Sequence, residues 1–153
     1  MDAWLEHAIN EYDRTNHRDG DLLSHDWLAY ALQLEKPRHL DEVQEKQWQA
    51  MSRVDALRDY LLVERQVALQ NVRGQGYRIV PPSEQARYAA EQAMAQVAKG
   101  LQKGSKILTH TRVAELSDEQ RRQHTDTEVK LSGIGQMIKR QKRDVFALFS
   151  PSK

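Results

Sequence analysis

Fourteen residues near the middle of the chain, Val67-Ala-Leu-Gln-Asn-Val-Arg-Gly-Gln-Gly-Tyr-Arg-Ile-Val80, restrict the fold more than any other stretch. Two short runs of β-formers flank Arg73-Gly74-Gln75-Gly76, and the paired glycines let the chain reverse at positive φ. Val67, Leu69, Tyr77 and Ile79 alternate, which puts them on one buried face and turns Gln70, Arg73 and Arg78 toward water. Pro81-Pro82 follows at once. The segment predicts a hairpin carrying arginines.

Helical signals dominate on the N-terminal side. Trp4, Leu5, Ala8, Ile9 and Tyr12 recur at three- and four-residue spacing and predict an amphipathic helix, ended by Thr15-Asn-His-Arg-Asp-Gly20. Ser24 stands where an N-cap belongs, ahead of the apolar stripe Trp27, Leu28, Ala31 and Leu32, and Pro37 closes this second helix. A third, long helix is predicted from about Asp41 to Glu64. Val43, Trp48, Met51, Val54, Leu57, Leu61 and Leu62 form its expected buried side, with Lys46, Gln49, Arg53 and Arg58 outward.

Helix, Gly20-Asp-Leu-Leu-Ser24 link, helix, long helix, hairpin: this order resembles a winged helix. The run Asn71-Val-Arg-Gly-Gln-Gly-Tyr-Arg78 is similar to the wing of the effector domains of two-component response regulators. Two further features are similar: the Ser-containing entry to the second helix, and Val54-Asp55-Ala56-Leu57-Arg58 in the third. The resemblance covers roughly Asp19 to Val80 and implies a helical body with a DNA-contacting wing. Neither a phospho-receiver domain nor a leading four-stranded sheet is read here, so phosphorelay control is not implied.

Beyond Pro82 the pattern changes. Ser83 precedes a small-residue stripe of Ala86, Ala89, Ala90, Ala93, Met94, Val97 and Leu101, which suits close helix–helix approach within the chain or across a homodimer. Gly100 and Gly104 are expected to punctuate it, leaving a short segment with Ile107 and Leu108. Ser117-Asp-Glu-Gln120 reads as a capping box opening a last helix, with Leu131, Ile134 and Ile138 as its late apolar residues. Val145-Phe-Ala-Leu-Phe149 is an apolar patch suited to docking the last helix or anchoring in a partner. The whole reads as a mostly α protein, with a winged-helix core at residues 1–82 and a helical extension at 83–150.

Composition narrows the chemistry. Cysteine is absent, which excludes disulfides and thiolate metal sites. No apolar run approaches the roughly 20 residues that span a bilayer, and Met1-Asp-Ala-Trp-Leu-Glu-His7 lacks a signal-peptide pattern. A cytoplasmic location with no membrane contact is expected. The net charge of +1 hides an asymmetry: residues 1–65 hold eight Lys/Arg against fourteen Asp/Glu, and residues 66–153 fifteen against eight. A polyanion would therefore meet the second half first.

His7-x3-Glu11 and His124-x3-Glu128 each place two ligand types on one helical face, which is too few for a metal site. Phosphate-loop, nucleophile-elbow and zinc-protease motifs are all missing, and no cofactor, metal or enzymatic activity is expected. Binding is the expected function, with double-stranded DNA as the leading partner, in transcriptional or replication control. Gln49 and Arg53 are the expected base contacts, since Gln reads adenine and Arg guanine. Arg73, Arg78, Lys139, Arg140, Lys142 and Arg143 are the expected phosphate contacts. The acidic first turn of the third helix, Asp41, Glu42 and Glu45, argues for the alternative. That alternative is a protein–protein interaction module, an adaptor or inhibitor of host machinery carried by a phage or other mobile element.

Overall fold

The computed structural model describes the backbone of residues 1–149 and the side chains of residues 1–144. Among them the chain is mostly α, with five helices and a small three-stranded antiparallel sheet. It divides into two units, Met1–Gln85 and a second that begins at Ala86. No helix among the described residues is long and apolar enough to cross a membrane.

In the first unit, α1 (Ala3–Thr15) buries Ala8 and Ile9 and ends where Asn16 adopts the left-handed conformation at φ 54°. Strand β1 (Leu22–Ser24) leads directly into α2 (His25–Ala31). Ser24 caps α2 as its position predicts, its Oγ accepting from the Trp27 N–H at 3.1 Å. A 3-10 turn at Leu40–Glu42 enters α3 (Val43–Arg65), and the hairpin of β2 (Leu69–Val72) and β3 (Gly76–Ile79) follows. Leu23, Leu28, Leu32, Leu57, Leu61, Leu69 and Ile79 meet in one core, with Trp4, Tyr12, Trp27 and Tyr77 packed around it. Each such buried leucine contributes about 1.5–3 kcal/mol relative to exposure.

The sheet has the order β1-β3-β2, with Leu23 opposite Tyr77 and Gln70 opposite Arg78. Strand β1 was not foreseen, because three residues are too few to display alternation. Gly76 makes the pairing possible. Its φ is +140°, and a Cβ there would stand 2.0 Å from the Leu23 carbonyl oxygen. Gly74 at φ +77° has open space around it, so it serves only the turn.

His17 lies between two rings, 5.3 Å from Tyr12 and 5.1 Å from Trp27 by ring centroid. Its Nε2 is buried without a hydrogen-bond partner among the described residues. Burial holds its pKa below the ordinary histidine value, because the charged ring would lose solvation.

The second unit is a helical hairpin. α4 (Pro82–Thr109) runs unbroken through Gly100 and Gly104, which corrects the expectation that these glycines interrupt it. Neighbouring good helix formers outweigh a cost of roughly 1 kcal/mol per glycine. α5 (Asp118–Phe149) opens on the expected capping box: Gln120 N–H donates to Ser117 Oγ at 3.2 Å, and Ser117 N–H donates to Gln120 Oε1 at 3.0 Å. The helices run antiparallel. His124 Nε2 lies 2.9 Å from the Leu108 carbonyl, and Leu131 Cδ1 is 3.5 Å from where a Gly104 Cβ would be. No described residue from Ala86 onward is buried. The Val145–Phe149 patch lies outside the described side chains.

Two outcomes follow in equilibrium denaturation. Gly76→Ala is expected to cost about 3 kcal/mol or more, whereas Gly74→Ala costs about 1–2 kcal/mol for its left-handed backbone alone. The lowered His17 pKa means the unfolded chain takes up that proton first. Stability then falls as pH drops below about 6.5. The acid slope of Tm is expected to be shallower in His17→Phe than in the parent chain.

Candidate functional site

Which side of α3 faces the core decides what this protein can contact. Leu57 and Leu61 are fully buried, and Ala50 and Val54 lie partly buried on the same side. At about 100° per residue this direction is opposite Trp48. Trp48 is accordingly 69% exposed and Met51 64% exposed, with Ser52, Asp55, Asp59 and Leu62 exposed alongside them. The structure thus corrects the expectation that Trp48, Met51 and Leu62 are core residues and that Arg53 faces outward.

Arg53 explains the difference. Its Nη1 donates to the carbonyls of Leu32 at 2.8 Å and Gln33 at 3.1 Å, closing the C-terminal end of α2. The guanidinium also lies 5.0 Å from the Trp4 ring centroid, so one side chain joins α1, α2 and α3. Gln49 is half-buried one turn earlier. Of the two expected base contacts, Arg53 is thus engaged within the body of the unit.

The other cations of α3 are engaged too. Arg58 donates to the Leu69 carbonyl at 3.1 Å and lies 5.0 Å from the Tyr77 ring. Lys46 pairs with Glu35 at 3.2 Å, and Arg65 with Asp13 at 3.1 Å. Exposed carboxylates remain at Asp41, Glu45, Asp55, Asp59 and Glu64. The outer face of α3 is therefore aromatic, apolar and acidic.

Beside this face a cleft of about 480 Å³ opens between α2, α3 and the sheet. Leu28, Leu34, Ala50 and Val54 supply apolar walls, and Met51, Asp55, Arg58, His25 and Tyr77 complete the lining. Asp55 is exposed and 3.9 Å from Arg58, at the long limit of an ion pair.

The hairpin presents less charge than its sequence suggested. Arg73 is exposed at the turn, closed by Gln75 N–H to Val72 carbonyl at 3.0 Å. Arg78 pairs with Glu84 at 2.7 Å, so its charge is partly neutralised at the surface. In the second unit, Lys139 and Lys142 line a cleft of about 600 Å³ together with Lys99 of α4. Arg140 and Arg143 are exposed on the same helix. The sharing of one cleft by Lys99 and the C-terminal basic run was not foreseen, because 40 residues separate Lys99 from Lys139.

The paired His–Glu motifs serve structure. His7 Nδ1 lies 2.9 Å from the Ala31 carbonyl, while Glu11 pairs with Arg14 at 2.7 Å. His124 is held between Leu108 and Glu128. No group of three possible ligands stands together among the described residues. No family model, curated protein or solved structure matches this chain.

Arg53→Ala is expected to lower unfolding stability by roughly 1–3 kcal/mol, because it leaves the α2 carbonyls without their charged donor. Arg73→Ala should stay within about 0.5 kcal/mol of the parent. Urea titration of both variants measures the difference.

Proposed function

We propose that the first unit is a winged-helix module that binds a protein partner through the outer face of α3 and the adjoining cleft. The observation carrying this reading is the rotation of α3, which exposes Trp48 and Met51 among carboxylates and draws Arg53 and Arg58 inward. The order helix, strand, helix, helix, hairpin supports the winged-helix architecture.

Physical chemistry favours a polypeptide over a duplex on this face. Affinity for DNA comes from cations that displace counterions, and here Asp41, Glu45, Asp55 and Asp59 would approach the phosphates instead. Exposed tryptophan and methionine are the side chains that anchor protein interfaces. The complementary partner carries an apolar side chain that enters the cleft, with lysine or arginine beside it to meet Asp55 and Asp59. The protein then acts by occupancy, without catalysis, as a cytoplasmic adaptor or inhibitor of host machinery of the kind mobile elements encode.

One observation favours a second reading, DNA binding in transcription or replication control. Lys99, Lys139 and Lys142 share a cleft, and Arg73 is exposed on the hairpin. That reading moves the contact surface off α3.

Affinity capture with the full chain, with and without nuclease, separates the two. The expected result is a protein partner retained after nuclease and lost from Trp48→Ala/Met51→Ala, with at least about tenfold weaker binding. A nuclease-sensitive, strongly salt-dependent complex that ignores this double variant and is lost from Lys139→Glu/Lys142→Glu would instead support the DNA reading.

A further inference from the structure

The second unit lacks something that long helices need. α4 and α5 contain 28 and 32 residues, yet no described residue from Ala86 onward is buried. Helices of this kind draw most of their stability from packing an apolar face. The α4–α5 seam supplies only part of that packing.

The rest of the apolar surface is not scattered. At about 100° per residue, Ala86, Ala89, Ala93, Val97, Gly100 and Ile107 fall on one side of α4, next to the seam. In an antiparallel hairpin, Ile134 and Met137 of α5 fall on that same side. Val97, Ile107, Ile134 and Met137 are all exposed. Arg87, Glu91, Lys99, Lys103 and Lys106 all lie outside this arc of α4. On α5, Lys130 falls between Met137 and Ile134 on this side, and Asp126 pairs with it at 2.7 Å. The cleft holding Lys99, Lys139 and Lys142 opens on the opposite side of the hairpin.

We infer that this largely apolar side, its one lysine paired with Asp126, is covered by the same side of a second copy, so that two hairpins close a four-helix bundle. Area and composition both fit that occupant. The face runs about six turns, roughly 33 Å, along α4. Across two helices it offers on the order of 600 Å² per copy, or about 1,200 Å² in all, the lower end for a specific interface. Alanines and Gly100 keep the ridge low, allowing the facing helices to approach closely. A two-fold arrangement satisfies both copies with one patch. A cationic partner would gain nothing from so neutral a face, and a nucleic acid would meet no cation there beyond the neutralised Lys130. Pairing would leave the lysine clefts on the two outer sides. It would also carry two copies of the α3 face in one particle, raising avidity for a repeated partner.

Light scattering coupled to size exclusion, on the full chain at about 50 µM, tests this, because a standard-size interface supports association in the micromolar range or tighter. The expected mass is twice the 17.7 kDa of one chain. Val97→Glu/Ile134→Glu should weaken association at least about tenfold by forcing charge into the contact. Ala93→Glu, which keeps both Val97 and Ile134, should do the same while circular dichroism shows helicity retained. Lys99→Glu/Lys139→Glu, on the opposite side, should leave the dimer intact. A parent chain that is monomeric at this concentration would overturn the inference, as would a monomer that co-sediments with anionic vesicles through these residues. A dimer that persists in a folded Ala93→Glu variant would overturn it as well.

Discussion

Leu57 and Leu61 set the rotation of one helix, and the surface that the first unit presents along α3 depends on that rotation. Two fully buried leucines one turn apart leave α3 a single orientation against α1, α2 and the sheet. Arg53 reinforces it from the same side by closing the end of α2 and covering Trp4. Once α3 is held this way, the side opposite the core can only be the one bearing Trp48, Met51, Asp55 and Asp59. The same guanidinium that stabilises the body is thereby removed from any role at the surface.

Charge is distributed by the same logic. The cations of α3 reach inward or sideways to carbonyls, rings and carboxylates, because arginine satisfies backbone oxygens and stacks on aromatic faces at once. Aspartates and glutamates remain in water, and near the start of α3 they also suit the helix dipole. An acidic, aromatic outer face thus emerges from packing needs, with a partly apolar cleft beside it. The second unit reverses the pattern, with lysines of both helices gathered at one cleft.

Much of the fold was legible because short-range chemistry determined it. Glycines at 74 and 76, the cap at Ser24 and the capping box at Ser117 are local devices, and each appears where its residues stand. Strand β1 was not legible, since its three residues pair only because Gly76 lets a distant backbone come close. Periodicity read only part of α3 correctly. Val43, Trp48, Met51, Val54, Leu57, Leu61 and Leu62 form a plausible apolar stripe, of which Leu57, Leu61 and Val54 do meet the core while Trp48, Met51 and Leu62 do not. Nothing within the helix says that an arginine will be drawn inward. Only the carbonyls of Leu32 and Gln33, about twenty residues away, decide that. Arg78, six residues before Glu84, pairs with it across the start of α4.

The rotation of α3 can be examined through its own tryptophan. In a Trp4→Phe/Trp27→Phe variant, Trp48 is the sole indole, because the chain has three tryptophans. Its emission should be red-shifted as in water, and acrylamide should quench it nearly as fast as free indole. A blue-shifted, shielded emission from the folded variant would place Trp48 in the core and contradict the account.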